Sequence, residues 1–410
     1  MKQQSAYRIH INGIVQGVGF RPFIYNLALH NQLTGWVRNT SSGVEIEVVG
    51  PEENLETFLS SIPNQAPPLS RIESIAHQQT KSEGYASFEI LHSQVIEGAF
   101  QPISPDVSIC DDCLKELFDP NDFRYRYPFI NCTNCGPRFT IIKDIPYDRP
   151  KTTMAGFELC PTCQREYQDP TNRRFHAQPV ACPACGPDIW LESAQEGHKV
   201  LARGDQALVR IQDLMADGKI AAIKGLGGFH LACDAEDGKA VARLRERKSR
   251  PAKPLAVMMP DLDTVRKYCY LSQQQEKLLS SPQRPILLLE RREKQALPSE
   301  IAPGQNKIGV MLPYTPLHYL LFADGQDFPH SPYSVLVMTS ANLRGNPILT
   351  ANQQVREELS SIADYYLFHN RDIYIQCDDS VFASFQPGDP ASDPSYPVRR
   401  SRGYAPQPLS

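Results

Sequence analysis

Eight cysteines arranged as four Cys-x-x-Cys pairs set the terms for residues 96–200 of this chain. Cys110-x-x-Cys113 and Cys132-x-x-Cys135 are separated by eighteen residues, and Cys160-x-x-Cys163 and Cys182-x-x-Cys185 repeat that spacing at an offset of 50. The same offset carries Glu116 onto Glu166, Asp119–Pro120 onto Asp169–Pro170, Arg124 onto Arg174 and Gly136–Pro137 onto Gly186–Pro187, so the segment is an internal duplication. A Cys-x-x-Cys turn presents two thiolates to one tetrahedral ion, and a second turn closes the site. Four thiolates leave no open position, so the expected role is structural and the expected cargo is two Zn2+ ions. Each repeat can hold its own ion, or the outer and inner pairs can cross. The segment is rich in proline and short of apolar runs, and metal binding worth about 10–16 kcal/mol supplies the folding energy it lacks. Disulfides or redox pairs explain four motifs at matched spacing poorly. The remaining cysteines, Cys233, Cys269 and Cys377, are isolated and are expected to be ordinary buried or half-buried residues.

The chain has 410 residues, which exceeds the roughly 250–300 that one core supports, so two to four domains are expected. Hydrophobic residues make up 41%, enough for several cores. A net charge of −4 argues against a coat for nucleic acid, which shows a basic excess. No run approaches the ~20 apolar residues of a membrane span. The opening MKQQSAYRIHING has no apolar stretch of the kind a signal peptide carries, so a cytoplasmic location is expected.

Residues 1–95 read as one small α/β unit. Tyr7–Val15 alternates as a strand, Arg21–Leu33 has a helical apolar pattern, and Gly35–Asn39 and Val44–Val49 read as strands joined by a turn at Ser41–Gly43. A short helix over Leu55–Ile62 and strands near Arg71–Ala76 and Ser87–Leu91 complete a β-α-β-β-α-β, ferredoxin-like order. The run from Gly13 to Arg21 places a glycine-rich loop between a strand and a helix. Its backbone N–H groups and the helix N-terminus can cradle a phosphate, and Arg21 adds a planar fork. GIVQGVGFRP and GWVRNTSSGVEIE resemble the two signatures of the acylphosphatase family. The resemblance implies that Arg21 binds the phosphate and Asn39 positions the attacking water.

From about Arg203 strands and helices alternate again. Ile220–Ile223, Leu255–Met258, Ile286–Leu289 and Val335–Met338 read as buried strands and Ala240–Lys248 as a helix, giving a mixed α/β domain over 203–402. KGLGGFHLACDA, RKSRPAKPLAVM, MTSANLRGNPI and CDDSV followed by RRSRGYAP resemble the YrdC family, which makes carbamoyl-adenylates. The resemblance implies an ATP and carbamoyl-adenylate site built on Lys248, Arg250 and nearby Lys253, on Ser340 and Asn342, and closed by Arg399 and Arg402. Such cations suit the neutralisation of a triphosphate, while hydroxyl and amide groups suit phosphate or a bound Mg2+. His230 can face a substrate or be a satisfied core histidine, and the second is preferred.

Taken together, the expected fold class is an α/β multidomain chain. It has a ferredoxin-like acylphosphatase domain (1–95), tandem four-cysteine zinc ribbons (96–202), a YrdC-like mixed α/β domain (203–402) and a linker (403–410). That combination resembles the HypF family of carbamoyltransferases in [NiFe]-hydrogenase maturation. The resemblance implies hydrolysis of carbamoyl phosphate to carbamate and its joining to AMP from ATP. It also implies eventual transfer to the C-terminal cysteine of HypE, for which the family carries a further domain beyond the linker. A threonylcarbamoyl-adenylate synthase of tRNA modification and a zinc-ribbon nucleic-acid-binding protein are the rival readings. The first domain and the fingers speak against the former, and the acidic balance and lack of an aromatic–basic motif against the latter.

Overall fold

The structure, a computed structural model, describes residues 4–81, 84–94, 96, 102–195, 197, 199–293, 297–325, 327–343, 346–384 and 395–407. Residue 95, at the expected end of the first domain, and residues 408–410 of the expected linker lie outside them. The chain divides into two compact units, one of Met1–Pro105, Asn131–Cys185 and Pro406–Ser410, the other of Asp106–Ile130 and Gly186–Ala405.

The first unit begins with β1 (Gln4–Ile14), α1 (Phe20–His30), β2 (Thr34–Thr40), β3 (Gly43–Pro51), α2 (Glu52–Gln65), β4 (Arg71–Thr80) and β5 (Phe88–Ile90). The sheet order is β4-β1-β3-β2-β5. Pairing is antiparallel except for β5, which runs parallel to β2 at the edge. Alternation turns Ile9 and Ile11 of β1 inward, with Ile46 and Val48 of β3 beside them. Both helices cover that face. Leu55, Phe58 and Ile62 of α2 recur at helical spacing and are all fully buried. This is the β-α-β-β-α-β plan expected from the sequence, and the run expected near Ser87–Leu91 forms the fifth strand, β5, at the sheet edge.

In each finger a short helix starts on the residue after the first cysteine. These are α3 (Asp111–Phe118) after Cys110 and α4 (Pro161–Gln168) after Cys160. The two repeats share an unusual backbone detail. Arg126 and His176, equivalent at the offset of 50, both take positive φ, 54° and 53°.

The second unit is organised by β6 (Ile189–Ser193), β7 (Val200–Arg203), α5 (Gly204–Ala216), β8 (Ala221–Lys224), β9 (Phe229–Asp234), α6 (Gly238–Arg247), β10 (Ala256–Met258), α7 (Leu262–Tyr268), α8 (Gln273–Leu279), β11 (Ile286–Glu290), β12 (Lys307–Met311), α9 (Pro316–Leu320), β13 (Leu336–Ser340), α10 (Asn352–Glu358), β14 (Tyr365–His369), β15 (Val381–Ser384) and β16 (Ser395–Arg399). These strands form one mixed sheet in the order β16-β15-β11-β12-β10-β13-β9-β8-β14-β6-β7. Its core is aliphatic and aromatic, with Val257, Leu287, Val310, Val337 and Phe368 among the buried side chains.

Two boundaries differ from the sequence expectation. The sheet starts at Ile189 rather than near 203, because β6 pairs along its whole length with β14, Leu191 opposite Leu367, and β7 adds to its edge. The stretch expected to be a linker from 403 is packed as far as Ala405. The Tyr404 ring lies 5.0 Å from Phe382, and Ala405 N donates to Ser401 O at 2.6 Å. Among the described residues no helix is long and apolar enough to cross a membrane.

Candidate active and metal sites

The loop from Val15 to Gly19 passes β1 into α1. Gly17 and Gly19 have φ of 71° and 75°, conformations that turn the loop tightly and that a side chain resists. Space imposes the same choice. A Cβ on Gly17 would sit 3.2 Å from Arg138 Cδ, and one on Gly19 would sit 3.3 Å from Thr133 Cβ. Gln16 fastens the loop to the β2–β3 turn, its Nε2 donating to Thr40 O at 2.7 Å and Gly43 O at 3.0 Å. Arg138 fastens it to the finger. Its buried guanidinium donates to Gly17 O, to Thr133 O at 2.8 Å, to Cys135 O at 2.8 Å and to Pro137 O at 2.9 Å.

Arg21 and Asn39 line one cavity with this loop, and Tyr147, His176 and Gln178 line it too. Arg21 is 8% exposed, and its guanidinium donates to Ser93 Oγ at 3.3 Å and Asp148 Oδ1 at 3.1 Å. Asn39 is 1% exposed, and its Oδ1 is buried without a hydrogen-bond partner among the described residues. An orphaned buried acceptor costs about 1–3 kcal/mol and marks a place for a donor such as water. A helix N-terminus, a guanidinium and an unsatisfied amide oxygen together suit an oxyanion and a water beside it.

The eight finger cysteines gather by repeat, Cys110, Cys113, Cys132 and Cys135 in one set and Cys160, Cys163, Cys182 and Cys185 in the other, with the sulfurs of each set within 4.8 Å of one another. The separations are diagnostic. Cys132–Cys135 is 3.9 Å, and Cys160–Cys182 and Cys182–Cys185 are each 3.7 Å. A tetrahedral ion with sulfur bonds of ~2.3 Å has an edge of about 3.8 Å, so the residues fit zinc. Cys233, Cys269 and Cys377 are buried elsewhere.

In the second unit Lys248 caps α6 and meets the end of β13. Its ammonium donates to Ser340 O and, at 3.1 Å, to Asn342 Oδ1, which Ser340 Oγ also reaches at 3.3 Å. Arg250 Nη1 donates to Thr339 Oγ1 at 3.1 Å. Burial, then the charges of Arg250 and Lys253, push the Lys248 pKa down to about 7, against the pull of Asp378. The structure thus brings together Lys248, Arg250, Lys253, Ser340 and Asn342. Arg399, about half exposed on β16, lies 3.7 Å from Asp378.

Arg402 departs from the expectation that it closes the nucleotide site. It is 2% exposed, and its whole fork is committed to protein, to Asp379 Oδ1 at 2.7 Å, Gln283 O at 2.9 Å and Arg284 O at 2.8 Å, over the Tyr314 ring at 3.4 Å. His230 shares that cluster, its Nε2 2.9 Å from Asp379 Oδ2 and its Nδ1 without a partner among the described residues. Burial works to raise the Asp379 carboxyl, but Arg402 and His230 hold it well below the usual range. The sequence reading passed over Arg138, Asp148 and His176. None of the three belongs to a motif in the sequence, although the offset of 50 pairs His176 with Arg126.

Comparison with known proteins follows the same division. The acylphosphatase family model matches residues 7–90 and the HypF finger model matches 109–142 and 159–192. The Sua5/YciO/YrdC model, described as telomere recombination, matches 213–390. Carbamoyltransferase HypF2 of Cupriavidus necator is 48% identical over 414 aligned positions, 98% of this chain and 50% of that protein. The chain belongs to the HypF family. It spans about half the length of the HypF relatives it matches. A crystal structure of full-length HypF in the phosphate- and nucleotide-bound form superposes with a TM-score of 0.91 at 48% identity, over 100% of this chain and 51% of that one. An acylphosphatase of Bacillus licheniformis is 44% identical over 86 residues, which are 20% of this chain and 94% of that protein.

Proposed function

We propose that this HypF-family chain hydrolyses carbamoyl phosphate in its first domain and joins the released carbamate to AMP in its last. The observation that carries the reading is the convergence of Arg21 and the unsatisfied Asn39 Oδ1 on one cavity beside the glycine loop. The loop amides and Arg21 hold the phosphoryl oxygens, and Asn39 Oδ1 accepts a hydrogen bond from the attacking water and aims its oxygen at phosphorus. The P–O bond to the acyl group breaks, leaving inorganic phosphate and carbamate.

Carbamate then attacks the α-phosphorus of ATP and pyrophosphate leaves. Lys248, Arg250 and Lys253 neutralise the triphosphate. The hydroxyl of Ser340 and the amide oxygen of Asn342 are the groups suited to phosphate or to Mg2+, which would add positive charge there. Arg399 is suited to cover the site from β16. The two four-cysteine sets hold structural Zn2+. Transfer of the carbamoyl group to HypE, on the way to the cyanide ligands of [NiFe] hydrogenase, is the fate the family likeness supports, in the reducing cytoplasm where the finger thiolates persist.

The test is ATP–pyrophosphate exchange with carbamoyl phosphate present and then omitted. Lys248→Ala should stop AMP formation and spare phosphate release. Arg21→Ala should stop both unless carbamate is supplied from bicarbonate and ammonia. Pyrophosphate release at the wild-type rate in Arg21→Ala, with carbamoyl phosphate as the sole source, would overturn the order of steps. Dependence of pyrophosphate release on threonine would favour the threonylcarbamoyl-adenylate reading instead.

A further inference from the structure

The left-handed position shared by the two fingers is used differently in each. A side-chain-bearing residue held in a sparsely populated backbone region costs about 1–3 kcal/mol and persists where the surroundings demand it. Both copies tie the position back to their own helix, Arg126 N donating to Leu117 O at 2.9 Å and His176 N to Tyr167 O at 3.0 Å. In the first finger the side chain is spoken for, since Arg126 donates to Asp205 Oδ1 at 2.6 Å and to Gly325 O at 2.7 Å.

In the second finger the side chain is held by aromatic neighbours rather than by ion pairs. The His176 ring stands edge-on to Phe175 at 4.6 Å and tilted against Tyr167 at 5.0 Å. Neither of its ring nitrogens makes a hydrogen bond among the described residues. It lines the cavity that holds Arg21 and Asn39. Burial, followed by the charge of Arg21, pushes its pKa down to about 3, so the ring is neutral and offers one donor and one acceptor.

A substrate whose phosphate sits on the Gly17–Gly19 loop and Arg21 leaves its acyl group to the remaining wall. That wall comes from the finger, through His176, Ala177 and Pro179. The Bacillus licheniformis acylphosphatase, matched over 94% of its length by 86 residues, leaves no room for a finger. The finger therefore adds a surface that an isolated acylphosphatase domain lacks.

We propose that His176 reads the acyl group of the substrate, its unprotonated ring nitrogen accepting a hydrogen bond from the NH2 of a carbamoyl phosphate. Acetyl phosphate, with methyl in place of NH2, leaves that nitrogen unpaired. A site built to bond a donor rejects the analogue without it far more strongly than an apolar pocket does. The assignment rests on the acyl-phosphate reading of this cavity.

The experiment compares kcat/KM for carbamoyl phosphate and acetyl phosphate in the full chain, with inhibition by inorganic phosphate as a probe of the loop and Arg21. His176→Phe keeps the ring's bulk and removes both nitrogens. It should lower the carbamoyl-to-acetyl ratio at least about tenfold while phosphate inhibition persists. His176→Asn adopts the left-handed backbone readily, retains an acceptor and should restore part of the ratio. An unchanged ratio in both variants overturns the assignment. So does a parallel fall of both substrates and of phosphate inhibition, which would make the ring a structural prop. A wild-type chain that hydrolyses neither acyl phosphate overturns the underlying reading and the assignment with it.

Discussion

Arg21 Nη2 donates to Asp148 Oδ1 at 3.1 Å, so the guanidinium that lines the cavity with the glycine loop already has a carboxylate partner from the segment between the two fingers. The pair is lopsided in exposure, with Arg21 at 8% and Asp148 at 28%. The carboxylate holds the fork in place and competes with any anion that enters.

Removing that competitor should strengthen anion binding. Asp148→Asn keeps the shape and an acceptor oxygen but loses the charge. Inorganic phosphate should inhibit, or bind in calorimetry, roughly fivefold more tightly, the equivalent of about 1 kcal/mol for a partly exposed pair. Weaker phosphate binding would mean that Asp148 chiefly orients Arg21.

Nucleotide binding should carry a proton with it. Burial, Arg250 and Lys253 bring Lys248 down to about 7, so near neutrality much of the free chain holds an uncharged amine. A triphosphate favours the ammonium form. Affinity should therefore decline as pH rises through about 7, approaching tenfold per unit above it, with proton uptake near zero at about pH 6 and near one at about pH 8. Calorimetry in buffers of different ionisation heat measures the uptake. Lys248→Arg, which stays charged, should remove this component.

Arg402 should matter for stability rather than for nucleotide affinity. Its three-way commitment to Asp379, Gln283 and Arg284 is buried, and removing one member of a buried ion pair costs about 3–5 kcal/mol. Arg402→Ala should lower the thermal midpoint clearly, or prevent accumulation of folded protein. A normally folded variant with weakened ATP binding would return Arg402 to the nucleotide site.

Metal analysis should give about two zinc ions per chain, and Cys163→Ser about one. The variant should gain protease-sensitive sites in 159–185, because the lost ion carries most of that finger's folding energy. Two ions retained in Cys163→Ser would mean that this thiolate is not a ligand.

What the sequence disclosed was local. The glycine loop, the alternation of β1 and β3 and the paired cysteines each declare themselves within a few residues, and the α/β multidomain class follows from them. What stayed hidden depends on distant pairing. β6 looks like the tail of a finger until Leu191 is seen opposite Leu367 on β14. An arginine beside a nucleotide motif looks the same whether it faces ligand or core, and Arg402 is distinguished only by Asp379, Gln283 and Arg284. His230 is likewise explained by Asp379, 149 residues on. Asp148 and His176 carry no motif of their own, and only folding sets them beside Arg21.

Arg138 hands one guanidinium to the carbonyls of Gly17 and of the Cys132–Cys135 turn. An ion that stiffens that turn and an anion that settles on the loop then act on the same fork. Any coupling carried by that fork is reciprocal, so each must change the affinity for the other by one common factor. In equilibrium competition with a chelator, phosphate should tighten the metal's binding by whatever factor the metal tightens phosphate. A finger of this kind is a thermodynamic counterpart of the loop as well as a scaffold for it.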